Sequence, residues 1–413
     1  MNGFYRDGRA LVCDGVHLEL IAAAHGTPLY VYSAASITSR YRAIDEAFAG
    51  YPHAIHYALK ANSTLGIARL LHGLGSDADA NSATEIFVAL RAGFTPRQIV
   101  FTGVGKTNDE LAFAIGLQIK VINVESAGEL ERIDAIARSK RTVTEVALRI
   151  NPDIDAKSHP HISTGLKKNK FGIPIDDVKA LARRARDLAS VRLVGLHAHL
   201  GSQITNMEPL ARAARALVDL SRELRDEGTR IEHLDIGGGL GVSYDRSPVP
   251  GPREYADAVL PILRESGLSI VLEPGRHIVA PAGALLTRVI DVKDAGPDRL
   301  FVVVDAGMTE LMRPMLYGAF HRIEPVVRTD APSIVGDVVG PLCETSDTLG
   351  KDRELPRPEP GELYAVLDAG AYGSVMASNY NRRLLPAEVL VEDGAARLIR
   401  RRQTLDDVLA LEF

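Results

Sequence analysis

An α/β fold, with an eight-stranded parallel (β/α) barrel and a mainly antiparallel β domain built from both chain ends, is predicted by three observations. Short apolar or β-branched runs alternate with amphipathic helical stretches at a period of about 20 to 25 residues, as right-handed parallel crossovers produce. Eight such runs occur, enough to close a barrel. Beyond Arg276 helical stretches become rare and strand-like runs separated by turn residues take over, which is the pattern of an antiparallel sheet. An open doubly wound sheet is the competing architecture; the count and the even spacing favour the barrel.

Taken in order, residues 10–13 and 16–20 are strand-like, and residues 1–34 are assigned to the β domain. The barrel is assigned to residues 35–276, with strand-like runs at 55–60, 77–81, 99–103, 121–126, 145–151, 193–200, 233–237 and 269–273. Between them, 84–90 and 211–225 repeat apolar residues at helical spacing. Lys106-Thr107-Asn108-Asp109-Glu110 and Glu125-Ser126-Ala127-Gly128-Glu129 supply polar helix starts ahead of apolar faces. Residues 277–413 complete the β domain through runs at 285–290, 300–304, 333–335, 363–367 and 388–391. The stretch 353–360, rich in proline and glutamate, reads as a surface loop.

Composition narrows the function classes. At 413 residues the chain exceeds the roughly 250 to 300 residues at which single cores stop growing, and 46% hydrophobic residues give ample core material. A net charge of -5 offers no broad basic field for nucleic acid. Cys13 and Cys343 are the only cysteines, too few for a disulfide framework and in keeping with a reducing compartment. No apolar run is long enough to span a bilayer, and the first residues lack the apolar centre of a signal peptide. The expectation is a soluble cytoplasmic protein with neither a nucleic-acid nor a membrane partner.

In a barrel of this kind the reactive groups come from the C-terminal ends of the strands. The ends here are Lys60, His199-Leu200-Gly201-Ser202, Gly237-Gly238-Gly239 and Glu273-Pro274-Gly275-Arg276. A lysine closing a buried strand is more often simply solvated, but desolvation favours its neutral, nucleophilic amine and makes Lys60 a candidate Schiff-base former. Three glycines expose backbone N–H groups that suit a phosphate. Ser202 and Arg276 on neighbouring strand ends add a hydroxyl and a guanidinium to the same anion. Glu273 at the end of a buried strand needs a partner; Arg276 is the ordinary one, and a protonated pyridine nitrogen is the alternative. A lysine, a phosphate cradle and an acid that keeps a ring nitrogen protonated are what pyridoxal 5'-phosphate needs to act as an electron sink. His199 is placed to lie flat against such a ring. No metal site is assigned.

The order of motifs carries a resemblance over nearly the whole chain. It rests on Thr27-Pro28-Leu29-Tyr30-Val31-Tyr32, Tyr57-Ala58-Leu59-Lys60-Ala61-Asn62, His159-Pro160-His161-Ile162-Ser163-Thr164-Gly165, Asn169-Lys170-Phe171-Gly172 and His197-Ala198-His199-Leu200-Gly201-Ser202-Gln203. It continues with Asp235-Ile236-Gly237-Gly238-Gly239, Glu273-Pro274-Gly275-Arg276, Gly340-Pro341-Leu342-Cys343-Glu344-Thr345 and Ser378-Asn379-Tyr380-Asn381. The chain resembles the fold-type III pyridoxal-phosphate decarboxylases, specifically the diaminopimelate decarboxylase family. The resemblance implies that Lys60 anchors the cofactor, His199 stacks on its ring and Glu273 pairs with its ring nitrogen. Ser202, Gly237, Gly238, Gly239, Gly275, Arg276 and Tyr372 resemble the remaining cofactor contacts.

Cys343 resembles the proton donor that completes the reaction, a step suited to a thiol whose pKa can be tuned toward neutrality. Arg276, Arg313, Tyr317 and Tyr372 resemble contacts to a substrate carboxylate, and Glu344 a contact to the distal ammonium. A guanidinium is a natural clamp for a carboxylate, so Arg313 separates a diaminopimelate enzyme from relatives acting on ornithine or arginine; the alternative reading is a decarboxylase of ornithine, arginine, lysine or carboxynorspermidine on the same fold. The family also implies an obligate homodimer, with Cys343 and Glu344 reaching across to the neighbouring site. Against a racemase of related architecture stands the Cys343-Glu344 pair, and against a catalytically dead relative the joint presence of Lys60, Glu273 and Cys343. Two departures stand out: Asn81-Ser82-Ala83-Thr84-Glu85 lacks paired glycines, and His161 stands where the family often has tyrosine.

Overall fold

The computed structural model describes residues 3–155, 164–166, 169–294, 296 and 300–413. Contacts divide it into two compact units, Arg40–Val242 with Val249–His277, and Met1–Ser39 with Ser243–Pro248 and Ile278–Phe413. The first is the barrel, with strands β1 (His53–Ala58), β2 (Asp77–Ala80), β3 (Ile99–Phe101), β4 (Val121–Val124), β5 (Thr144–Asn151), β6 (Val191–His197), β7 (His233–Asp235) and β8 (Ser269–Leu272). Each pairs in parallel with the next, and β8 pairs with β1 to close the ring. All eight anticipated runs are strands, because a strand covered on both faces must be almost continuously apolar. Every strand except β5 stops short of the run that predicted it, and the polar residues beyond are the rim loops.

The helices between them start where polar side chains can take up free N–H groups. Ser82 accepts from Glu85 N at the head of Ala83–Ala92, and Ser126 from Glu129 N at the head of Ala127–Ser139. Thr107 and Glu110 form a reciprocal capping pair before Asn108–Leu117.

In the second unit the long strand Gly283–Asp294 is the spine. It pairs antiparallel with Leu29–Ser33, Leu363–Val366 and Leu300–Val304, and Leu29–Ser33 pairs in parallel with Ala387–Glu392. Leu11, Leu18, Ile21, Leu29 and Val31 from the start of the chain pack with Leu286, Val326, Leu367, Val389 and Val391 from its end. Both termini therefore build one core.

Three expectations need correction. Only Val16–His17 of the run 16–20 is a strand; Leu18–His25 is a helix that buries Leu18, Ile21 and Ala22 on one face. The proposed loop 353–360 begins inside the strand Thr348–Pro356, an edge strand on Ser333–Val339, whose charged side chains suit an edge. Lys60 does not end β1 but sits in the single 3-10 turn Leu59–Ala61 that follows it.

Candidate active site

Lys60 reaches the fully buried Asp79 of the neighbouring strand, Nζ to Oδ2 3.0 Å, because the β1–β2 register sets Ala58 beside Asp79. Its side chain keeps 30% of its exposure, so the amine remains reachable from the barrel mouth. Asn81 Nδ2 lies 3.3 Å from both Asp79 oxygens, and Asn81 N–H donates to Glu85 Oε2 at 2.6 Å. The segment that lacks paired glycines thus braces the carboxylate facing Lys60. His161 and the rest of 159–163 lie outside the described residues.

Across the rim, β6, β7 and β8 bring His197, Asp235 and Glu273 together. The register pairs His197 with Asp235 and Asp235 with Val271, two residues before Glu273. His197 Nε2 donates to Glu273 Oε2 at 3.2 Å with both side chains buried. Burial pushes the Glu273 carboxyl up, but His197, which hydrogen-bonds it, and the charge of Lys60 outweigh it and hold the group ionised. Asp235 goes the other way: burial, then the charge of Glu273, raises its carboxyl well above the usual range. Two adjacent buried carboxyls cannot both ionise cheaply, so the proton sits on Asp235. Sequence reasoning missed Asp79 and gave His197 and Asp235 no role; their one visible signal was a polar residue interrupting an apolar run.

His199 is kept neutral, its pKa held well below 6.5 by burial and by the charge of Lys60. Its Nδ1 accepts from Gly238 N–H at 3.1 Å. This corrects one expectation about the glycine turn. Gly237 N–H is taken by Asp235 Oδ1 at 2.8 Å and Gly238 N–H by His199, so of the three amides only that of Gly239 has no acceptor among the described residues. Gly238 is required for another reason: a Cβ there would stand 2.2 Å from the Glu273 carbonyl oxygen. Arg276, buried at the head of a short helix, donates from Nε to Ser202 Oγ at 3.0 Å, which sets a hydroxyl beside a guanidinium, donors that together with the Gly239 amide suit an anion.

The second unit carries the other named residues. Arg313 is buried, with Nη1 2.7 Å from His321 Nε2 and the guanidinium 4.6 Å from the Tyr244 ring centre. His321 Nδ1 donates to Leu367 O at 2.9 Å, so Nε2 is the acceptor and the ring is neutral. Tyr317 closes the same helical turn, Arg313–Tyr317. Cys343 and Glu344 are exposed on a loop gathered around buried Asp347, which accepts from Met308 N at 2.6 Å and Leu342 N at 2.8 Å. Asn381 Nδ2 donates to Cys343 Sγ at 3.2 Å, and Tyr380 Oη to Glu344 Oε1 at 2.8 Å. Tyr372 holds a left-handed backbone, φ 55°, a strained state that bulky residues adopt mainly where function requires it.

Whether the barrel rim suits a pyridoxal ring is tested by one atom. Glu273 Oε1 is buried and has no hydrogen-bond partner among the described residues, which is costly unless a donor arrives. A protonated ring nitrogen is such a donor; with Lys60, neutral His199 and the Ser202–Arg276–Gly239 cradle, the residues present fit the group.

A barrel rim of this composition has the groups that a pyridoxal-dependent enzyme needs. The profile of the family described as "Pyridoxal-dependent decarboxylase, pyridoxal binding domain" matches residues 34–280, and the chain belongs to that family. It is 46% identical over 408 residues to the diaminopimelate decarboxylase of Pseudomonas aeruginosa, covering 99% of this chain and 98% of the relative. Among solved structures it is similar to diaminopimelate decarboxylase from Helicobacter pylori complexed with L-lysine, at TM-score 0.93, 43% identity and coverage of 96% and 99% of the two chains. It is also similar to the M. jannaschii enzyme in co-complex with L-lysine, at TM-score 0.95, 38% identity and coverage of 100% and 98%.

Proposed function

We propose that this chain decarboxylates meso-2,6-diaminopimelate to L-lysine and carbon dioxide, using pyridoxal 5'-phosphate. The observation that carries the reading is the buried Oε1 of an ionised Glu273, without a hydrogen-bond partner among the described residues, on the rim that also holds Lys60, in a chain whose solved relatives hold L-lysine. Bound pyridoxal phosphate supplies an electron sink for the pair of electrons left by the departing carboxylate.

The protein's part is positional and electrostatic. Lys60 would hold the cofactor through its amine, Glu273 would accept from the protonated ring nitrogen, and His199, neutral, would lie beside the ring without adding a competing charge. Ser202, the Gly239 amide, Arg276 and Tyr372 hold the phosphate, while Gly237, Gly238 and Gly275 let the backbone come close. Arg313 and Tyr317, with Arg276 and Tyr372, take the substrate carboxylates, and Glu344 takes the distal ammonium. A carboxylate held by a fixed guanidinium fork gains direction as well as energy. The α-carbon then receives its proton from Cys343 of the partner subunit.

Shared sites make the working unit a homodimer, and the exposure of Cys343 and Glu344 supports their being offered to a neighbour. Two free cysteines suit the cytoplasm. Among the described residues no helix is long and apolar enough to cross a membrane. The test is carbon dioxide release from meso-diaminopimelate, lysine, ornithine and arginine in parallel. Release from diaminopimelate alone is expected, and comparable release from ornithine or arginine overturns the substrate assignment.

A further inference from the structure

We infer that His197 is a positioning residue that aims Glu273 at the cofactor: by holding Oε2 it turns Oε1 toward the ring nitrogen and fixes the plane of the carboxylate. The inference rests on the pyridoxal reading above. A carboxylate on a two-carbon stem has rotational freedom of its own, and at the end of β8 the one nitrogen donor that the described residues place on it is His197 Nε2 at 3.2 Å, with the Asp235 carboxyl beside it. Because an ionised carboxylate only accepts, Nε2 carries the hydrogen. Nδ1 is buried and has no partner among the described residues, so Nε2 is the ring's one working donor.

The arrangement has a built-in division of labour. His197 and Asp235 are register neighbours at the ends of β6 and β7, and Asp235 is tied back to its own loop by Gly237 N–H at 2.8 Å. Asp235 therefore carries the proton that one of the two carboxyls must take, and Glu273 stays charged with one oxygen occupied and one offered. A ring nitrogen that meets a charged, pre-aimed oxygen needs no reorganisation on binding. With an apolar residue at 197, Glu273 Oε2 would lie buried without its nitrogen donor. The carboxylate would then rotate or take up a proton, and its support for the ring proton would fall.

The test uses full-length protein loaded with pyridoxal phosphate, carrying His197→Leu or His197→Gln, each alone and combined with Glu273→Gln. Three quantities are read: cofactor dissociation constant from its visible absorption, the position of that band, and kcat and KM for diaminopimelate. His197→Leu should weaken cofactor binding and lower kcat by about tenfold each, the weight of one hydrogen bond to a charged group, with the band shifted and KM within twofold. His197→Gln, whose amide N–H can donate to the same oxygen, should recover most of both. In the Glu273→Gln background the Leu change should add less than about twofold, since its partner charge is gone.

Equal losses in both backgrounds, or a His197→Leu enzyme with unaltered affinity, band and kcat, overturn the inference. Should the Leu variant not fold, His197→Asn, too short to reach Oε2, replaces it with the same two outcomes. An unaltered chain that shows no cofactor band overturns the pyridoxal reading and this inference together, whereas additive losses in a pyridoxal-binding chain overturn this inference alone.

Discussion

Gly238→Ala adds one methyl group where backbone already stands. The new Cβ would lie 2.2 Å from the Glu273 carbonyl oxygen and 3.0 Å from its carbon. Carbon and oxygen in van der Waals contact need more than 3 Å, so the Glu273 carbonyl must recede by at least about 0.8 Å. It cannot swing aside as a side chain would, because Glu273 N–H is tied to Gly237 O at 2.8 Å; the shift is passed to the Glu273 side chain and to its 3.2 Å contact with His197. Overpacking of this kind costs about 1–3 kcal/mol of stability, and a displacement near 1 Å at a reacting group costs about 100-fold in rate. The assay pairs turnover of diaminopimelate with urea unfolding. Gly128→Ala serves as the control, since a Cβ there meets nothing within 4 Å in the helix Ala127–Ser139, and it should be neutral or stabilising by up to about 1 kcal/mol. A Gly238→Ala enzyme with turnover and stability within twofold and about 0.5 kcal/mol of the parent would refute the claim that this glycine fixes the Glu273 loop.

Lys60→Ala should abolish the visible band of the bound cofactor, while Cys343→Ala should keep it and lose about 100-fold or more in kcat; a Cys343→Ala enzyme of normal rate removes the thiol from its role. If sites are shared, refolding these two inactive chains together should restore about one quarter of the parental activity, since half the dimers are mixed and each has one intact site; no recovery argues against sharing. Arg313→Met should raise KM for diaminopimelate about 30-fold or more, as loss of a buried charge partner does, with cofactor absorbance unchanged. An unchanged KM would place the distal carboxylate elsewhere. Burial holds His233 and His277 down at about 4. Unfolded, each takes a proton below about 6.5 that the folded barrel refuses, so stability is full above pH 6.5 and falls by about 3 kcal/mol per histidine on going to pH 4. Urea midpoints at pH 7, 6 and 5 check this, and His277→Asn should flatten the slope; a flat profile in the parent contradicts the assignment.

Much of the barrel was legible because burial on both faces leaves a strand little choice of residue, so 121–126 or 145–151 announces itself. The places that misled are those where local pattern and context disagree. Residues 16–20 alternate like a strand, yet Leu18, Ile21 and Ala22 form one helical face against the core. Thr348–Pro356 is charged and proline-ended because it lies at a sheet edge, where solvent rather than packing selects side chains. In the site, Lys60 and Glu273 were legible as charges at the ends of apolar runs. Asp79, Asp235 and His197 were less so, since their roles are set by register across neighbouring strands, which single-chain periodicity does not encode. The glycine turn illustrates the same limit: the sequence shows three small residues, and only the fold shows that two of their amides are already committed to Asp235 and His199.

The strand Leu29–Ser33 has a further consequence, for the order in which the chain becomes stable during synthesis. Its two neighbours are Gly283–Asp294 and Ala387–Glu392, so a nascent chain carries Leu29, Tyr30, Val31 and Tyr32, all fully buried at completion, with no partner until some 250 residues more have been made. At about 5–20 residues per second that is an interval of about 12 to 50 seconds, during which the barrel segment can close while an apolar ribbon beside it stays unpaired. The same ribbon needs Ala387–Glu392 as well, so barrel closure leaves its sheet incomplete until that strand has been made. Shortening the chain before Ala387 would leave it stranded permanently, with an open edge that can recruit other copies.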